Sequence, residues 1–231
     1  MVARNRNSIL IICLLLLSTG CGSKEEPKIP VHEHEVWWEQ CLDTTVPMST
    51  FAAWLDDTKA PSRVAMRNYL RTKNYSTFLD VPCGLCIDYE GLKTEFPNMK
   101  YQGLDITEKL VAVAQGKNIP VKRGSIEQMP FNDSSFDICY SRHILEHLDN
   151  YQKAIGELVR VGSKEVLIVF FIKPDDQADA IDLSSANGAL LFHNRYNKPD
   201  LEKYVLSLSK VKEIKWEEVN SIENFLHIYL K

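Results

Sequence analysis

Four short segments carry the acidic, small and polar residues whose order could support chemistry. They are FLDVPCG at 78–84, YQGLD at 101–105, VKRGSIEQMPF at 121–131 and SFDICYSRHILEHL at 135–148. The second segment closes on Asp105, and an acidic residue after such a strand can bind the two hydroxyls of a ribose. The series therefore indicates a binding site for a nucleoside cofactor.

Elements of regular structure must position these residues. Each segment is a short apolar stretch that ends in a small or polar turn, and helix-like sequence separates the segments. Such strand–helix alternation predicts a parallel sheet whose strand ends open onto a ligand crevice. The expected fold is α/β, a Rossmann-like doubly wound sheet, mainly parallel, with an antiparallel C-terminal hairpin strand and helices on both faces.

The pattern also predicts where each element lies. Strands are expected at 77–81, up to Asp105, 120–123, 136–141 and 165–172, the last an apolar run typical of a strand buried on both faces. Helices are expected at 87–96, 108–117 with Thr107 as N-cap, 150–161 and 198–207. Residues 173–196 read as a loop with a short helix at most, and 211–219 and 224–230 as a terminal hairpin.

On these residues the chain resembles the class I S-adenosylmethionine-dependent methyltransferases, in particular the small domain of the type 11, UbiE-like kind. The resemblance is close over 76–172 and looser beyond. The third block is the most specific, with matches at Gly124, Pro130, Phe131, Ser135, Phe136 and Asp137. The first block departs from the D-x-G-x-G-x-G pattern of the family, because it reads Asp80, Pro82, Gly84 and Cys86.

That departure has a physical consequence. Glycines in this turn permit positive φ and a close approach of the backbone to the cofactor. Pro82 removes an N–H donor, and Cys86 brings a Cβ and a sulfur towards the methionine part of the cofactor. The resemblance thus implies altered cofactor binding through a variant turn, with a catalytically inactive, methyltransferase-like binding protein as an alternative.

The resemblance implies a set of site residues. S-Adenosyl-L-methionine would be bound by Asp80, Pro82, Cys83, Gly84, Asp105, Ile106, Ser125, Ile126 and Ser141. Arg142 and His143 would act on the acceptor side, and the methyl acceptor would be bound by His193, Asn194, Arg195 and Tyr196. No metal is expected. Purely structural roles remain open for several of these residues. Asp105 and Ser125 could be helix caps, His143 could bond only to the backbone, and 193–196 could be a solvated loop.

Two other patterns suggest different chemistry. Cys83 and Cys86 form a C-x-x-C, which in an exported protein would suggest a thioredoxin-like thiol oxidoreductase. His143 to His147 reads H-x-x-E-H, the zinc motif of inverzincin peptidases. The first histidine directly follows a strand, however, whereas that zinc site needs both histidines on one long helix. The thiol oxidoreductase is therefore the main alternative function.

Composition limits the partners. The 231 residues carry a formal net charge of −4 and no basic tract, so nucleic acid is not expected as a partner. A small-molecule methyl acceptor is favoured instead. The sequence carries no signal for a particular oligomeric state.

The N-terminus reads as a separate segment. Arg4 and Arg6 precede an apolar run at 9–17, and small residues lead to Cys21, as at a bacterial lipoprotein cleavage site. The predicted organisation is a signal segment at 1–21 with Cys21 lipidated, a tether at 22–34, a helical cap at 35–74 and the methyltransferase domain at 75–231. Membrane attachment through this segment is expected, with a cytoplasmic location as the alternative, since S-adenosylmethionine is made and kept inside the cell.

Overall fold

The structure is a computed structural model that describes residues 57–186 and 189–231. The predicted signal segment with Cys21, the tether, and 35–56 of the expected cap, including Trp37, Trp38 and Trp54, lie outside the described residues. No helix within the described ranges is both long and apolar enough to cross a membrane.

Five α-helices and nine strands make up the described residues. The helices are α1 (Pro61–Leu70), α2 (Ile87–Glu95), α3 (Glu108–Gly116), α4 (Gln152–Val161) and α5 (Lys198–Ser207). The strands are β1 (Thr77–Asp80), β2 (Lys100–Asp105), β3 (Val121–Arg123), β4 (Phe136–Arg142), β5 (Gly162–Phe170), β6 (Leu183–Ala186), β7 (Ala189–Phe192), β8 (Val211–Glu218) and β9 (Asn224–Leu230). A 3₁₀ turn spans Leu145–His147.

Seven of the strands form one sheet in the order β3-β2-β1-β4-β5-β9-β8. Strands β1 to β5 pair in parallel, and β9 runs antiparallel to both β5 and β8. One buried cluster packs α1, α2 and α3 against one face, and a second packs α4 and α5 against the other. The prediction of a doubly wound, mainly parallel sheet with a C-terminal antiparallel hairpin is confirmed.

Strand β5 is offset from its predicted range of 165–172. It begins at Gly162, which pairs with Phe136 of β4, and it ends at Phe170. The backbone N–H groups of Phe171 and Ile172 donate to the Glu146 carboxylate, at 2.7 and 3.3 Å, rather than to a neighbouring strand. The predicted boundaries of β5 were wrong, because the apolar sequence continues through Phe171 and Ile172 after the strand has ended at Phe170.

The prediction of a loop over 173–196 was also wrong. Strands β6 and β7 pair antiparallel in a separate two-stranded sheet. The sequence between them contains Asn187-Gly188, a strong short-range signal for a hairpin, which the sequence reading did not use.

Helix starts show which side chains act as caps. Thr107 occupies the predicted N-cap of α3, but its side chain makes no capping bond. At α5, which begins at the predicted residue, the Asn197 side chain accepts from the backbone N–H of Asp200 at 2.9 Å. Helix α4 begins at Gln152, two residues later than predicted.

Candidate active site

The turn after β1 begins the site. The Cys83 N–H donates to the Leu104 carbonyl at 2.9 Å, which ties the turn to the adjacent strand β2. Gly84 has φ 54°, a value that glycine adopts without a steric penalty. Cys86 has φ 58° although it carries a Cβ, and its N–H donates to the Cys83 carbonyl at 2.7 Å. The turn thus keeps two left-handed residues with a single glycine.

Asp105 joins this turn to the end of β2. Its Oδ2 accepts from the Gly84 N–H at 2.8 Å, and its Oδ1 accepts from the Thr107 N–H at 2.9 Å. The side chain is buried yet borders a cavity. Two backbone donors therefore fix the carboxylate in the crevice at the strand end.

A cavity of about 270 Å³ lies against this turn, close to the lower end of the usual range for small-molecule sites, roughly 300–1,000 Å³. It brings together eight residues predicted to form the site: Asp80, Pro82, Cys83, Gly84, Asp105, Ile106, Arg142 and His143. Cys83 rather than Cys86 lines the cavity, and the buried Cys86 lies behind the turn. Of the two sulfurs expected near the cofactor, that of Cys83 borders the cavity and that of Cys86 does not.

Buried charges on α1 and α2 line the same cavity. Arg63 forms an ion pair with Asp88, and both side chains are buried. Arg63 Nε and Asp88 Oδ1 have no hydrogen-bond partner within the described ranges. Because buried polar groups are normally satisfied, these two atoms point to a ligand with an anionic and a cationic group. Sequence reasoning missed both residues, since neither lies in the four segments.

Asp80 ends β1 beside this pair. Burial raises its pKa well above the usual range, and the neighbouring Asp88 carboxylate raises it further, against a hydrogen bond from the Tyr101 hydroxyl at 2.7 Å. A ligand that brings a cation to this end of the cavity would favour the ionised form of Asp80.

A smaller cavity of about 50 Å³ continues the site beyond Asp105 and Ile106. Ser125 and Ile126 line it, as predicted for the base of a nucleoside. The Ser125 Oγ accepts from the Glu127 N–H at 3.1 Å. Ser125 thus shapes a tight turn, and no helix starts there.

The end of β4 carries a polar group that lines the main cavity. His143 Nε2 lies 2.8 Å from Glu223 Oε1, which also accepts from Arg142 Nη2 at 3.1 Å and from Ser62 Oγ at 2.6 Å. Glu223 lies in the turn between β8 and β9. Sequence reasoning missed it because an acidic residue in a hairpin turn reads as solvated, and only the fold brings it to His143.

The pKa values of this cluster follow from burial and charge. Burial lowers the pKa of His143, the Glu223 hydrogen bond opposes this, and the Arg142 charge adds to it. Burial alone would raise the pKa of Glu223, but hydrogen bonds from His143 and Ser62 and the Arg142 charge lower it to about 2. His143 is therefore a neutral imidazole beside an ionised carboxylate at neutral pH.

Five predicted residues lie outside both cavities. Ser141 is fully buried within β4. Asn194 donates to the Leu148 carbonyl at 2.7 Å and Tyr196 to the Leu145 carbonyl at 2.7 Å, so both fasten the chain after β7 to the 3₁₀ turn. Arg195 pairs with Asp175 at 2.9 Å. His193 packs edge-on against His147, which does line the cavity. The acceptor-binding role of residues 193–196 stays a prediction, and the cavity itself does not include them.

The alternative motifs form different structures. Cys83 and Cys86 are free, buried thiols. A hydrogen bond to Cys86 and burial raise the pKa of Cys83, whereas an exposed first cysteine of lowered pKa marks a thiol oxidoreductase. His147 Nδ1 donates to the Phe192 carbonyl at 2.8 Å, while His143 bonds to Glu223. Among the described residues, no cluster of three or more His, Cys, Asp or Glu side chains could hold a metal ion.

A comparison with protein-family models supports the resemblance to methyltransferases for the residues that form this crevice. Residues 79–170, which include the turn, Asp105 and the end of β4, match the family model described as "Methyltransferase domain". Residues 79–170 are thus similar to a methyltransferase domain.

Curated relatives and solved structures that are similar to this chain are also methyltransferases. An uncharacterised methyltransferase of Bacillus subtilis is 32% identical over 83 residues, 32% of this chain and 33% of that protein. The 2-phytyl-1,4-naphtoquinone methyltransferase of Synechocystis is 33% identical over 107 residues, 42% of this chain and 45% of that protein. This chain therefore spans less than half the length of these relatives.

Similarity of fold extends beyond the matched segment of the methyltransferase domain. The Burkholderia thailandensis 1,6-didemethyltoxoflavin-N1-methyltransferase, solved with S-adenosylhomocysteine, superposes with a TM-score of 0.61. The superposition covers 90% of this chain and 93% of that one at 13% identity, which shows a shared fold. None of these three comparisons supports a thiol oxidoreductase.

Proposed function

We propose that the protein is an S-adenosylmethionine-dependent methyltransferase that acts on a small-molecule acceptor. The observation that carries the proposal is that Asp105, Arg63 and Asp88 line one cavity. The Asp105 carboxylate is held by backbone N–H groups, whereas Arg63 and Asp88 each have one buried polar atom without a hydrogen-bond partner in the described residues. An α-amino acid group and a ribose in one ligand need this combination of residues.

The residues fit the parts of S-adenosylmethionine in order. Arg63 would bind the α-carboxylate and Asp88 the α-ammonium group, which would satisfy the two buried atoms that lack partners. Asp105 would accept from the ribose hydroxyls, because its carboxylate lies at the end of β2 and borders both cavities. Ile106 and Ile126 would pack against the adenine.

The protein's own work is to bind, align and exclude water. When bound, the cofactor supplies an electrophilic methyl group on a sulfonium whose leaving group is a neutral thioether. Alignment of two reactants in one site contributes a large part of the rate in such displacements. Arg142 and His143 border the cavity and are proposed to face the acceptor. The named relatives that methylate a naphtoquinone or a toxoflavin precursor favour a small acceptor here.

Calorimetric titration with S-adenosylhomocysteine tests the proposal. Residues 22–231 should bind it, and Asp105→Asn should weaken the affinity at least tenfold, since an amide accepts fewer hydrogen bonds than a carboxylate. Asp176→Asn, at an exposed position outside both cavities, is the matched control. Absence of binding by the unsubstituted protein would contradict the proposal and favour the inactive alternative.

For the N-terminal segment we propose attachment to a membrane through a lipid on Cys21. The support is the sequence pattern of 1–21. Metabolic labelling with a radioactive fatty acid, followed by membrane fractionation, should give a labelled membrane protein that becomes unlabelled in Cys21→Ala. A soluble, unlabelled product from the unsubstituted gene would contradict attachment and favour the cytoplasmic alternative.

A further inference from the structure

We propose that Glu223 positions His143 as the general base for a weakly acidic hydroxyl, phenolic or enolic, on the methyl acceptor. The inference rests on the proposed function, because it assigns the acceptor class to the same cavity. It is carried by the contacts of Glu223 and by the hydrogen-bonding capacity that Arg142 retains.

Glu223 collects donors from separate parts of the chain. Its Oε1 accepts from Ser62, Arg142 and His143, and its Oε2 accepts from Asn220 Nδ2 at 3.0 Å. Only 6% of the residue is exposed. A carboxylate held by this many donors remains ionised and can only accept hydrogen bonds. His143 Nε2 must therefore carry the proton that it shares with Glu223.

This fixes the tautomer of His143. In a neutral imidazole with a proton on Nε2, the other nitrogen, Nδ1, has a basic lone pair. Within the described part of the chain, Nδ1 makes no hydrogen bond. The His143 N–H donates to the Val169 carbonyl at 3.0 Å, and the Phe171 ring packs 5.0 Å from the imidazole. Strand, ring and carboxylate thus hold a base at the cavity wall.

Arg142 supplies the second requirement. Its Nε donates to Ser62 at 3.0 Å and its Nη2 to Glu223 at 3.1 Å. The remaining nitrogen, Nη1, has no protein partner in the described ranges, so it can donate to an acceptor atom of a ligand. An ammonium group has no lone pair to receive this bond, and a thiol is a weak acceptor. A hydroxyl both yields a proton to Nδ1 and accepts from the guanidinium.

The acidity of the hydroxyl follows from the base. Burial keeps the pKa of His143 below its ordinary value, so the proton must come from a group nearer to a phenol, with a pKa of about 10, than to an aliphatic alcohol. Phe171, which lines the cavity, offers an aromatic wall beside the base.

The step balances as follows. The acceptor O–H bond breaks and its proton passes to His143 Nδ1, while an oxygen lone pair forms the new C–O bond. The C–S bond of the sulfonium donor breaks, and its electron pair stays on sulfur. The imidazolium, paired with Glu223, then releases its proton to solvent, which restores the neutral base.

Binding of 4-nitrophenol to the protein saturated with S-adenosylhomocysteine tests the inference without turnover. The phenolate of this probe is yellow and the phenol is not. We expect the bound probe to show phenolate absorbance at a pH below that at which the free probe ionises. Glu223→Gln should lower the bound phenolate fraction about tenfold, since a paired opposite charge shifts a pKa by roughly one unit or more. His143→Gln should abolish the signal.

Controls separate this inference from the proposed function. Glu213→Gln, at an exposed position of β8, should behave like the unsubstituted protein. Both site variants should keep their affinity for S-adenosylhomocysteine, which also shows that they fold. Benzylamine, a cationic probe, should not displace 4-nitrophenol. If S-adenosylhomocysteine binds but the probe fails to bind, or binds with no phenolate signal, the acceptor class is overturned. The same holds if Glu223→Gln leaves the signal unchanged. If S-adenosylhomocysteine itself does not bind, the proposed function is what fails.

Discussion

Two regions of the site are held together in different ways. In the cofactor-side region, which consists of the turn 81–86 and Asp105, a carboxylate receives backbone N–H groups from residues only 21 and 2 positions away in the chain. In the acceptor-side region, Ser62, Arg142, His143 and Glu223, a carboxylate receives side chains that lie 161, 81 and 80 residues away. The first region is thus a local backbone structure, and the second exists only in the completed fold.

The difference has energetic consequences. A carboxylate that satisfies buried backbone donors stabilises the fold wherever the pH leaves it ionised. A carboxylate that binds ionisable side chains makes the charge state of its neighbours depend on pH. Substitutions in the cofactor-side region should therefore affect stability most, and those in the acceptor-side region should affect pH dependence.

The largest effect is expected for Asp105→Ala. The substitution leaves the partly buried N–H of Gly84 and the buried N–H of Thr107 without their acceptor. At roughly 1–3 kcal/mol for each unsatisfied donor, the free energy of unfolding should fall by about 4 kcal/mol. Urea denaturation measures the loss, and Asp176→Ala is the control. A loss equal to that of the control would contradict the local role of Asp105.

The next effect concerns Glu146, whose carboxylate binds the N–H groups of Phe171 and Ile172 at the end of β5. Burial raises its pKa to about 7, against these backbone hydrogen bonds. An unfolded glutamate titrates near pH 4.3, so between these pH values the folded state binds the extra proton. Stability should therefore fall as the pH rises from about 4.3 to about 7, by about 3.7 kcal/mol in all.

Urea denaturation across this pH range should show the decline, and Glu146→Gln should remove it because an amide does not titrate. Glu213→Gln should keep the decline. If the curve for Glu146→Gln matches that of the unsubstituted protein, Glu146 is ionised throughout, and it stabilises the β5 end as Asp105 stabilises the turn.

The two regions also differ in how far the sequence predicts them. Asp105 was predicted because it closes the apolar strand of the second segment, which directly follows the segment that contains the turn. Glu223 was missed because its own neighbours, Ser221, Ile222 and Asn224, contain nothing that indicates His143 or Ser62. Its role depends on the antiparallel pairing of β9 with β5, which carries the β8–β9 turn to the end of β4.

The other differences between the predicted and the observed site concern buried polar residues. Asn194 and Tyr196 read as an exposed cluster but are buried, because the carbonyls of Leu145 and Leu148 accept their hydrogen bonds. Arg63 and Asp88 are far apart in sequence, and each alone resembles a solvated helical charge. Strand and helix periods predict the sheet, whereas the burial of a polar residue depends on partners that only the fold supplies.

A smaller effect is expected for the pH response of Glu223. Its pKa of about 2 lies below that of an unfolded glutamate, because donors from His143 and Ser62 and the Arg142 charge outweigh burial. The stabilisation is therefore present above about pH 4.3 and is lost as the pH falls towards about 2. Glu223→Gln should show a shallower acid limb in thermal unfolding than the unsubstituted protein. An identical acid limb would show that other carboxylates dominate in this range.

The smallest effect is expected for Cys86→Gly, and it distinguishes two explanations of the variant turn. A glycine relieves the left-handed strain at φ 58° but removes a buried side chain, so the two contributions largely offset each other. Because Cys86 does not line the cavity, affinity for S-adenosylhomocysteine should change by less than about threefold, below 0.7 kcal/mol. Calorimetry measures this, with Cys83→Ala, at a lining position, as the comparison. A tenfold gain for Cys86→Gly would mean that the cysteine itself restricts the cofactor. An unchanged affinity for Cys86→Gly would mean that any effect of the variant turn on cofactor binding comes from Pro82 and Cys83, the residues that border the cavity.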